Sequence, residues 1–242
     1  METKAISVVI PCFNEEKRIG DNLRKINEYL SSNFSDYEII AVNDGSTDST
    51  VSEIRKAQEK FPIRLVDMKV NGGKGSAVKK GMLESEKDVV MFMDADLAIP
   101  IEELKKFLEK LESGYDIVIA SRFIPGLRIL EPVLWHRRIM EKIFRILRII
   151  IIDMGEIRDT QCGFKVFRRK VAVDIFSKLT VKRFSFDSEV IFIASKKGYG
   201  IKELPIILQN PKKSHVRLIF DSVNMIADLL RIRINDFRGK YD

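Results

Sequence analysis

Short apolar runs alternate with amphipathic stretches over the first 120 residues, and this rhythm constrains the fold more than any other feature. "AISVVIP", "YEIIAVN", "IRLVDM", "DVVMFMD" and "YDIVIAS" are strand-like. Between them lie helix-like segments ending near Leu30, following Asp48 and running from about Gly75 to Leu83, and then "EELKKFLEKL", introduced by Pro100. Strands that are apolar on both faces and separated by helices require a mainly parallel sheet covered on both sides. The expected class is therefore α/β, a Rossmann-like sheet flanked by helices, and sites in such folds lie beyond the carboxyl ends of the strands. After Arg122 the rhythm breaks at a loop with Pro125, Gly126 and Pro132. A long segment from Val133 to Ile152, a strand "CGFKVFRR", helices around Val171 to Phe176 and from about Asp187, and a last strand "GIKELPI" follow. The 242 residues are expected to form one domain, with a half at 1–122 carrying one substrate and a half at 123–242 carrying another.

Asp94 and Asp96 end the run "MFMDADLAIP". Residues two apart in a strand point to one side, so two carboxylates would face each other and repel. A hard divalent cation, Mg²⁺ or Mn²⁺, reverses that repulsion, whereas a helix-capping Asp96 beside a lone Asp94 is the plainer alternative. "VNDGSTDST" adds Asp44 at a second strand end, with Thr47 and Asp48 expected to do no more than cap. "VNGGKGSAVKKG" places Lys74 among glycines at a helix start, a plausible cradle for a diphosphate. It is no P-loop, because Gly75 follows the lysine and Met68 stands where the first glycine is needed.

Taken in order, "SVVIPCFNEEKRI", "AVNDGSTDST", "NGGKG", "DAD" and "ASRF" resemble glycosyltransferase family 2, the inverting nucleotide-sugar enzymes of GT-A fold. "DTQCGFKVFRR", "FSFDSEV", "IKELPI" and "DLLRIR" look most like the dolichyl-phosphate glucosyltransferases, with the dolichyl-phosphate mannose synthases as cousins. The resemblance implies that Pro11, Asn14 and Glu15 border a nucleotide and that Asp44 hydrogen-bonds its base. It also implies that Lys74 approaches the ribose or phosphates, Asp94 the ribose and metal, and Asp96 the metal. The mannose synthases keep a metal-binding glutamine where this chain has Ala98, so water or another ligand, with His215 a weak alternative, would complete the shell.

The acceptor decides whether a base is needed: a hydroxyl requires one, while a phosphate monoester is already anionic. For a hydroxyl, the resemblance implies that Asp187 and Glu189, where related members keep acidic residues near the acceptor, are the catalytic carboxylates, with a helix cap and a solvated glutamate as the alternative. For a phosphate, Arg122, Arg137 and Arg138 offer guanidinium forks.

The formal net charge of +7 is regional. Residues 121–150 hold seven basic side chains against two acidic ones, and 196–242 hold ten against five. Arg138, Lys142, Arg145 and Arg148 form a basic stripe beside Ile139, Ile143, Phe144, Ile146, Leu147 and Ile150, the pattern of a helix lying on a membrane surface; a core helix or a dimer interface is the alternative. A second helix from about Arg217 to Arg231, with Phe220, Val223, Ala227 and Leu230 on one stripe, is a further docking element, and Trp135 is an interfacial anchor or a core filler.

With two cysteines, no recognisable leader and no apolar run of roughly 18 residues or more, the expected setting is cytoplasmic, peripheral on the cytoplasmic face of a membrane. The function expected is hexose transfer, glucose above all, from UDP-glucose or a GDP-sugar such as GDP-mannose to dolichyl or another polyprenyl phosphate. A sugar hydroxyl is the alternative acceptor. Nucleic-acid binding is disfavoured, since it leaves Asp44, Asp94 and Asp96 unexplained, and a sugar nucleotidyltransferase would need glycines in "PCFNEEKR", which has none.

Overall fold

A computed structural model describes residues 5–129, 135–209 and 218–242, with side chains described throughout these except at 129, 135–141 and 218–223. The first half follows the expected alternation: β1 (Ile6–Cys12), α1 (Ile19–Asn33), β2 (Tyr37–Asp44), α2 (Thr50–Gln58), β3 (Ile63–Met68), α3 (Lys74–Glu84), β4 (Val89–Met93), α4 (Leu104–Glu112) and β5 (Ile117–Ser121). The second half adds β6 (Arg128–Ile129), α5 (Trp135–Ile152), β7 (Phe164–Arg168), α6 (Arg169–Lys178), α7 (Phe186–Lys196), β8 (Ile201–Pro205), β9 (Ile207–Leu208) and α8 (Leu218–Phe237). The last helix runs beyond the Arg231 at which the sequence placed its end.

Seven strands form one sheet in the order β3-β2-β1-β4-β7-β5-β8, and β6 pairs with β9 in a separate ribbon. Every neighbouring pair is parallel except those of β7, which runs antiparallel to both β4 and β5. That reversal matters for the site. The chain enters β7 at the rim where its parallel neighbours end, so residues 159–163 arrive beside the carboxyl ends of β4 and β5, with Met93 opposite Phe164.

Alternating strand residues feed two cores. Ile10 of β1, Ala41 of β2 and Met91 of β4 pack with Leu23, Ile54 and Phe107 of α1, α2 and α4. Val9, Val42 and Phe92 face Val78, Phe176, Phe186 and Leu229 of α3, α6, α7 and α8. Phe92 stands at the centre of the second core, 5.7 Å from the Phe186 ring and 6.2 Å from that of Phe167. Truncating one such ring to alanine costs about 3–5 kcal/mol.

The two docking helices are corrected in part. Arg148, expected on a lipid-facing stripe, is 1% exposed and its Nη2 donates to the carbonyl of Ile157 at 2.6 Å. The face of α5 that does reach solvent is Lys142, Ile143, Ile146, Ile149 and Ile150, with Arg145 half-buried. On α8 the described solvent face holds Leu230, Arg231, Ile234 and Phe237, with Arg238 exposed just beyond its end, while Leu229 and Ile232 are buried. The two helices pack against each other, and no helix among the described residues is long and apolar enough to cross a membrane. The Trp135, Phe220 and Val223 side chains and the whole of His215 lie outside the described residues.

Candidate active site

The carboxyl ends of β1, β2 and β4 meet at one rim and carry the three motifs expected there. After β1, Asn14 adopts a left-handed conformation (φ 56°), its N–H donates to Ser46 Oγ at 3.0 Å, and its Oδ1 accepts the Thr47 N–H at 2.9 Å. Asparagine is among the few residues that tolerate this backbone. Glu15 is buried; its N–H donates to Thr50 Oγ1 at 2.7 Å, and its carboxylate pairs with Arg18, whose Nη2 lies 2.8 Å from Oε1. Asp48 accepts from Thr50 and from the Glu16 N–H, the capping role expected of it. Pro11, at the end of β1, is half-buried.

Asp44 is held by backbone donors. Its Oδ1 accepts the Gly72 N–H at 2.7 Å and its Oδ2 the Gly73 N–H at 3.0 Å, so the carboxylate is tied to the glycine turn. Burial raises its pKa, while the two N–H groups and the charge of Arg183 pull the other way. The Gly72 and Gly73 N–H groups are therefore occupied by a carboxylate, and side chains supply positive charge nearby.

Lys74, the first residue of α3, supplies one such charge: its Nζ lies 2.5 Å from Asp94 Oδ1. Burial works against the ammonium, but the carboxylates of Asp94, Asp187 and Asp96 outweigh it and hold the pKa above the ordinary lysine value. Asp94 follows β4, and its side chain is 39% exposed. Its N–H donates to the carbonyl of Gly163 at 3.1 Å, and a Cβ at Gly163 would fall 2.1 Å from Asp94 Oδ2, so only glycine fits behind this carboxylate. Asp96 Oδ1 accepts the Ala98 N–H at 3.0 Å, in a turn where Leu97 takes φ 51°. Asn22 of α1 fixes the same turn by donating to the Ala95 carbonyl at 2.7 Å.

Burial and then the neighbouring charge of Asp94 push the Asp96 carboxyl above its usual range. Asp94 and Asp96 thus offer hard oxygen donors and excess negative charge, and they fit a small divalent cation. Among the described residues no third His, Cys, Asp or Glu completes a protein cage. The remaining positions suit water and substrate phosphates.

Arg122 follows β5 at the same rim. Its backbone N–H and Nε donate to Asp159 Oδ2 at 3.0 and 2.8 Å, and its Nη2 to Oδ1 at 3.1 Å. Against the effect of burial, that guanidinium holds the Asp159 carboxyl below the usual carboxylate range. The fork expected to face an acceptor phosphate is thus turned onto a buried aspartate. Asp159 is in turn fixed by Glu203 of β8, which accepts the N–H groups of Arg158 and Asp159, each at 2.9 Å. Arg122 and Arg145 stand over the Phe123 ring at 5.6 and 5.7 Å, a pair of cations around one aromatic face. The side chains of Arg137 and Arg138, in the first turns of α5, lie outside the described residues.

The two carboxylates expected as a catalytic base are interior. Glu189 is 0% exposed; its oxygens accept from the Thr180 N–H, the Thr180 hydroxyl, the Val181 N–H and the Tyr241 hydroxyl, at 2.6 to 2.9 Å. It is a buried brace that holds the turn at 180–181 and the chain end, not a base facing a cleft. Asp187 is 2% exposed and ion-paired with Lys165, whose side chain is fully buried in β7. Burial pushes the Asp187 carboxyl up, opposed by Lys165 and Lys74. Lys165 also donates to the Cys162 carbonyl at 2.6 Å and lies 5.1 Å from the Phe92 ring centre. The sequence signal for Lys165 was a lysine set between Phe164 and Val166 in an apolar strand; Asp159 and Gly163 lay in "DTQCGFKVFRR" without a role read for them.

A crevice of about 450 Å³ lies at the carboxyl ends of β2 and β3 beside α2, lined among others by Asn43, Gly45, Ser46, Arg55, Asp67 and Lys69. Asp44, Asp94 and Asp96 are not among its lining residues, and its own carboxylate, Asp67, is engaged by the Asn43 amide and Lys69.

Comparison with known proteins places this geometry among relatives. The glycosyl transferase family 2 pattern matches residues 7–176. Dolichyl-phosphate beta-glucosyltransferase of Dictyostelium discoideum is 33% identical over 249 residues, which cover 97% of this chain and 75% of that protein. The human protein of the same name is 32% identical over 253 residues, covering 99% of this chain and 78% of its own. Among solved structures, glucosyl-3-phosphoglycerate synthase from Mycobacterium tuberculosis in complex with Mn²⁺, UDP-glucose and phosphoglyceric acid has a TM-score of 0.68 at 19% identity, covering 98% of this chain and 80% of that one. The complex of the same enzyme with Mg²⁺ and UDP has a TM-score of 0.71 at 20% identity, covering 95% and 79%. The likeness to these structures is one of fold.

Proposed function

The chain belongs to glycosyl transferase family 2, and on that premise we propose that this glycosyltransferase moves glucose from UDP-glucose to dolichyl phosphate or a related polyprenyl phosphate, with Mg²⁺ or Mn²⁺ held by Asp94 and Asp96. Similarity to dolichyl-phosphate beta-glucosyltransferases, over 97–99% of this chain and 75–78% of theirs, supports the sugar and the acceptor. The observation that carries the choice of acceptor is the burial of Asp187 and Glu189. With both candidate bases engaged inside the protein, an acceptor that is already an oxyanion needs no proton removed before it attacks the anomeric carbon. Inversion follows from a single in-line displacement.

A bound divalent cation would neutralise charge developing on the departing nucleoside diphosphate. The chain's own residues do the rest. Asn14 and Glu15 shape the nucleotide side, Asp44 holds the glycine turn, and Lys74, paired with Asp94, would meet the diphosphate. Arg145, over the Phe123 ring beside the Arg122–Asp159 pair, brings positive charge to the acceptor side. Transfer assays that offer dolichyl phosphate and dolichol with the same donor test this reading. Product is expected from the phosphate alone; transfer to the alcohol at a comparable rate would refute it.

Membrane-surface action on the cytoplasmic face is part of the same proposal. Ile143, Ile146, Ile150, Leu230, Ile234 and Phe237 are exposed beside Lys142, Arg231 and Arg238, an apolar and basic combination suited to anionic headgroups. Replacing Ile146 and Ile150 by glutamate is expected to release the protein from anionic liposomes in flotation. Unchanged flotation would rule this surface out. Arg148 is unsuitable for such a test, because its replacement acts on the interior.

A further inference from the structure

Arg183 lies on the turn between α6 and α7, and its position against the glycine turn was not foreseen from sequence. Its Cγ would be 3.0 Å from a Cβ at Gly73, and its charge lowers the pKa of Asp44. It is exposed, and its guanidinium forms no ion pair or hydrogen bond among the described residues, although it also lies within electrostatic range of Asp228.

The turn that carries it is firmly held. Glu189 accepts the N–H groups of Thr180 and Val181 at 2.9 and 2.6 Å. The Lys182 carbonyl accepts the Ser76 N–H at 3.1 Å, and the Phe186 N–H donates to the Arg183 carbonyl at 3.2 Å. Gly75 is closed in by the Val181 and Lys182 carbonyls, 2.8 and 2.9 Å from where its Cβ would stand. Glycines at 73 and 75 thus let the 180–183 turn lie directly on the start of α3.

Asp44, Asp94 and Asp96 make the rim negative, Asp44 occupies the Gly72 and Gly73 N–H groups, and Lys74 is engaged by Asp94. A nucleoside diphosphate entering here meets this guanidinium as an exposed cation with no ion pair among the described residues, and its planar fork suits phosphate oxygens. We propose that Arg183 is a binding residue for the diphosphate of the nucleotide donor, placed by the turn that Glu189 braces. This rests on the nucleotide-sugar reading above.

The test is calorimetric titration of UDP and of uridine, with Mg²⁺ present, into the parent, Arg183→Gln and Arg183→Lys, with Lys182→Gln as a neighbouring control. The expected result is a loss of UDP affinity of roughly ten- to hundredfold in Arg183→Gln, with uridine affinity unchanged and partial recovery in Arg183→Lys. The proposal is overturned if UDP affinity stays within about twofold of the parent. It is equally overturned if UDP and uridine weaken together, or if only the KM of the lipid acceptor changes. A parent that binds neither UDP nor GDP would overturn the nucleotide reading itself and this assignment with it, whereas loss confined to the variant separates the two.

Discussion

Asp96→Ala is expected to abolish sugar transfer while leaving the protein folded. The carboxylate makes one described contact inside the protein, to the Ala98 N–H, worth about 1 kcal/mol. Burial and the adjacent Asp94 charge already disfavour its ionised form, so its removal also relieves repulsion. Stability should therefore barely move. Losing a carboxylate that anchors the divalent ion removes several kcal/mol of stabilisation from the transition state, a fall in kcat of roughly a thousandfold or more. Rate assays beside thermal unfolding separate the two effects. A variant within about tenfold of the parent would mean that the Asp94 and Asp96 pair does not serve the reaction in this way.

Asp187→Ala is expected to have the opposite profile, with its largest effect on stability. It leaves the fully buried Lys165 ammonium with the Cys162 carbonyl and the Phe92 ring face as its described contacts. Removing one partner of a buried ion pair costs about 3–5 kcal/mol, because the remaining charge is uncompensated. At about 2–4 °C per kcal/mol for a chain of this size, the melting temperature should fall by roughly 6–20 °C. Replacing both partners, as Lys165→Met with Asp187→Leu, should recover much of that loss, since an apolar pair of similar volume leaves no orphan charge. Denaturant unfolding of the two variants checks this. A single-variant loss below about 1 kcal/mol would show that the pair is not bound in the interior as described.

The parts of the account that were legible in the sequence are those set by local pattern. Short runs apolar on both faces and helical spacing located β1 to β5 and their helices, and they put Asp44, Asp94 and Asp96 on one rim because all stand at the carboxyl ends of parallel strands. The direction of β7 was not legible. "CGFKVFRR" reads the same whichever way it pairs, yet its antiparallel insertion brings Asp159 and Gly163 to the site.

Partners distant in sequence account for the other departures. Glu189 resembles a solvated helix residue until Tyr241, 52 positions later, closes over it. Arg148 shares a helical stripe with Arg145, and spacing alone does not say which of the two faces the interior; the Ile157 carbonyl and the Asp159 and Glu203 charges draw Arg148 inward. Asp44 was correctly placed at a strand end, but its two glycine N–H partners come from a turn 28 and 29 residues away.

The central claim is the transfer of glucose to a polyprenyl phosphate, and product formation tests it most directly. Radiolabelled UDP-glucose, GDP-mannose and UDP-N-acetylglucosamine are each incubated with dolichyl phosphate, Mg²⁺ or Mn²⁺ and the protein, with Asp96→Ala alongside. The account predicts an acid-labile labelled lipid from UDP-glucose alone, absent with Asp96→Ala. A labelled lipid from another donor would contradict the sugar assignment, and no labelled lipid from any donor, despite metal-dependent nucleotide binding, would contradict the phosphate acceptor.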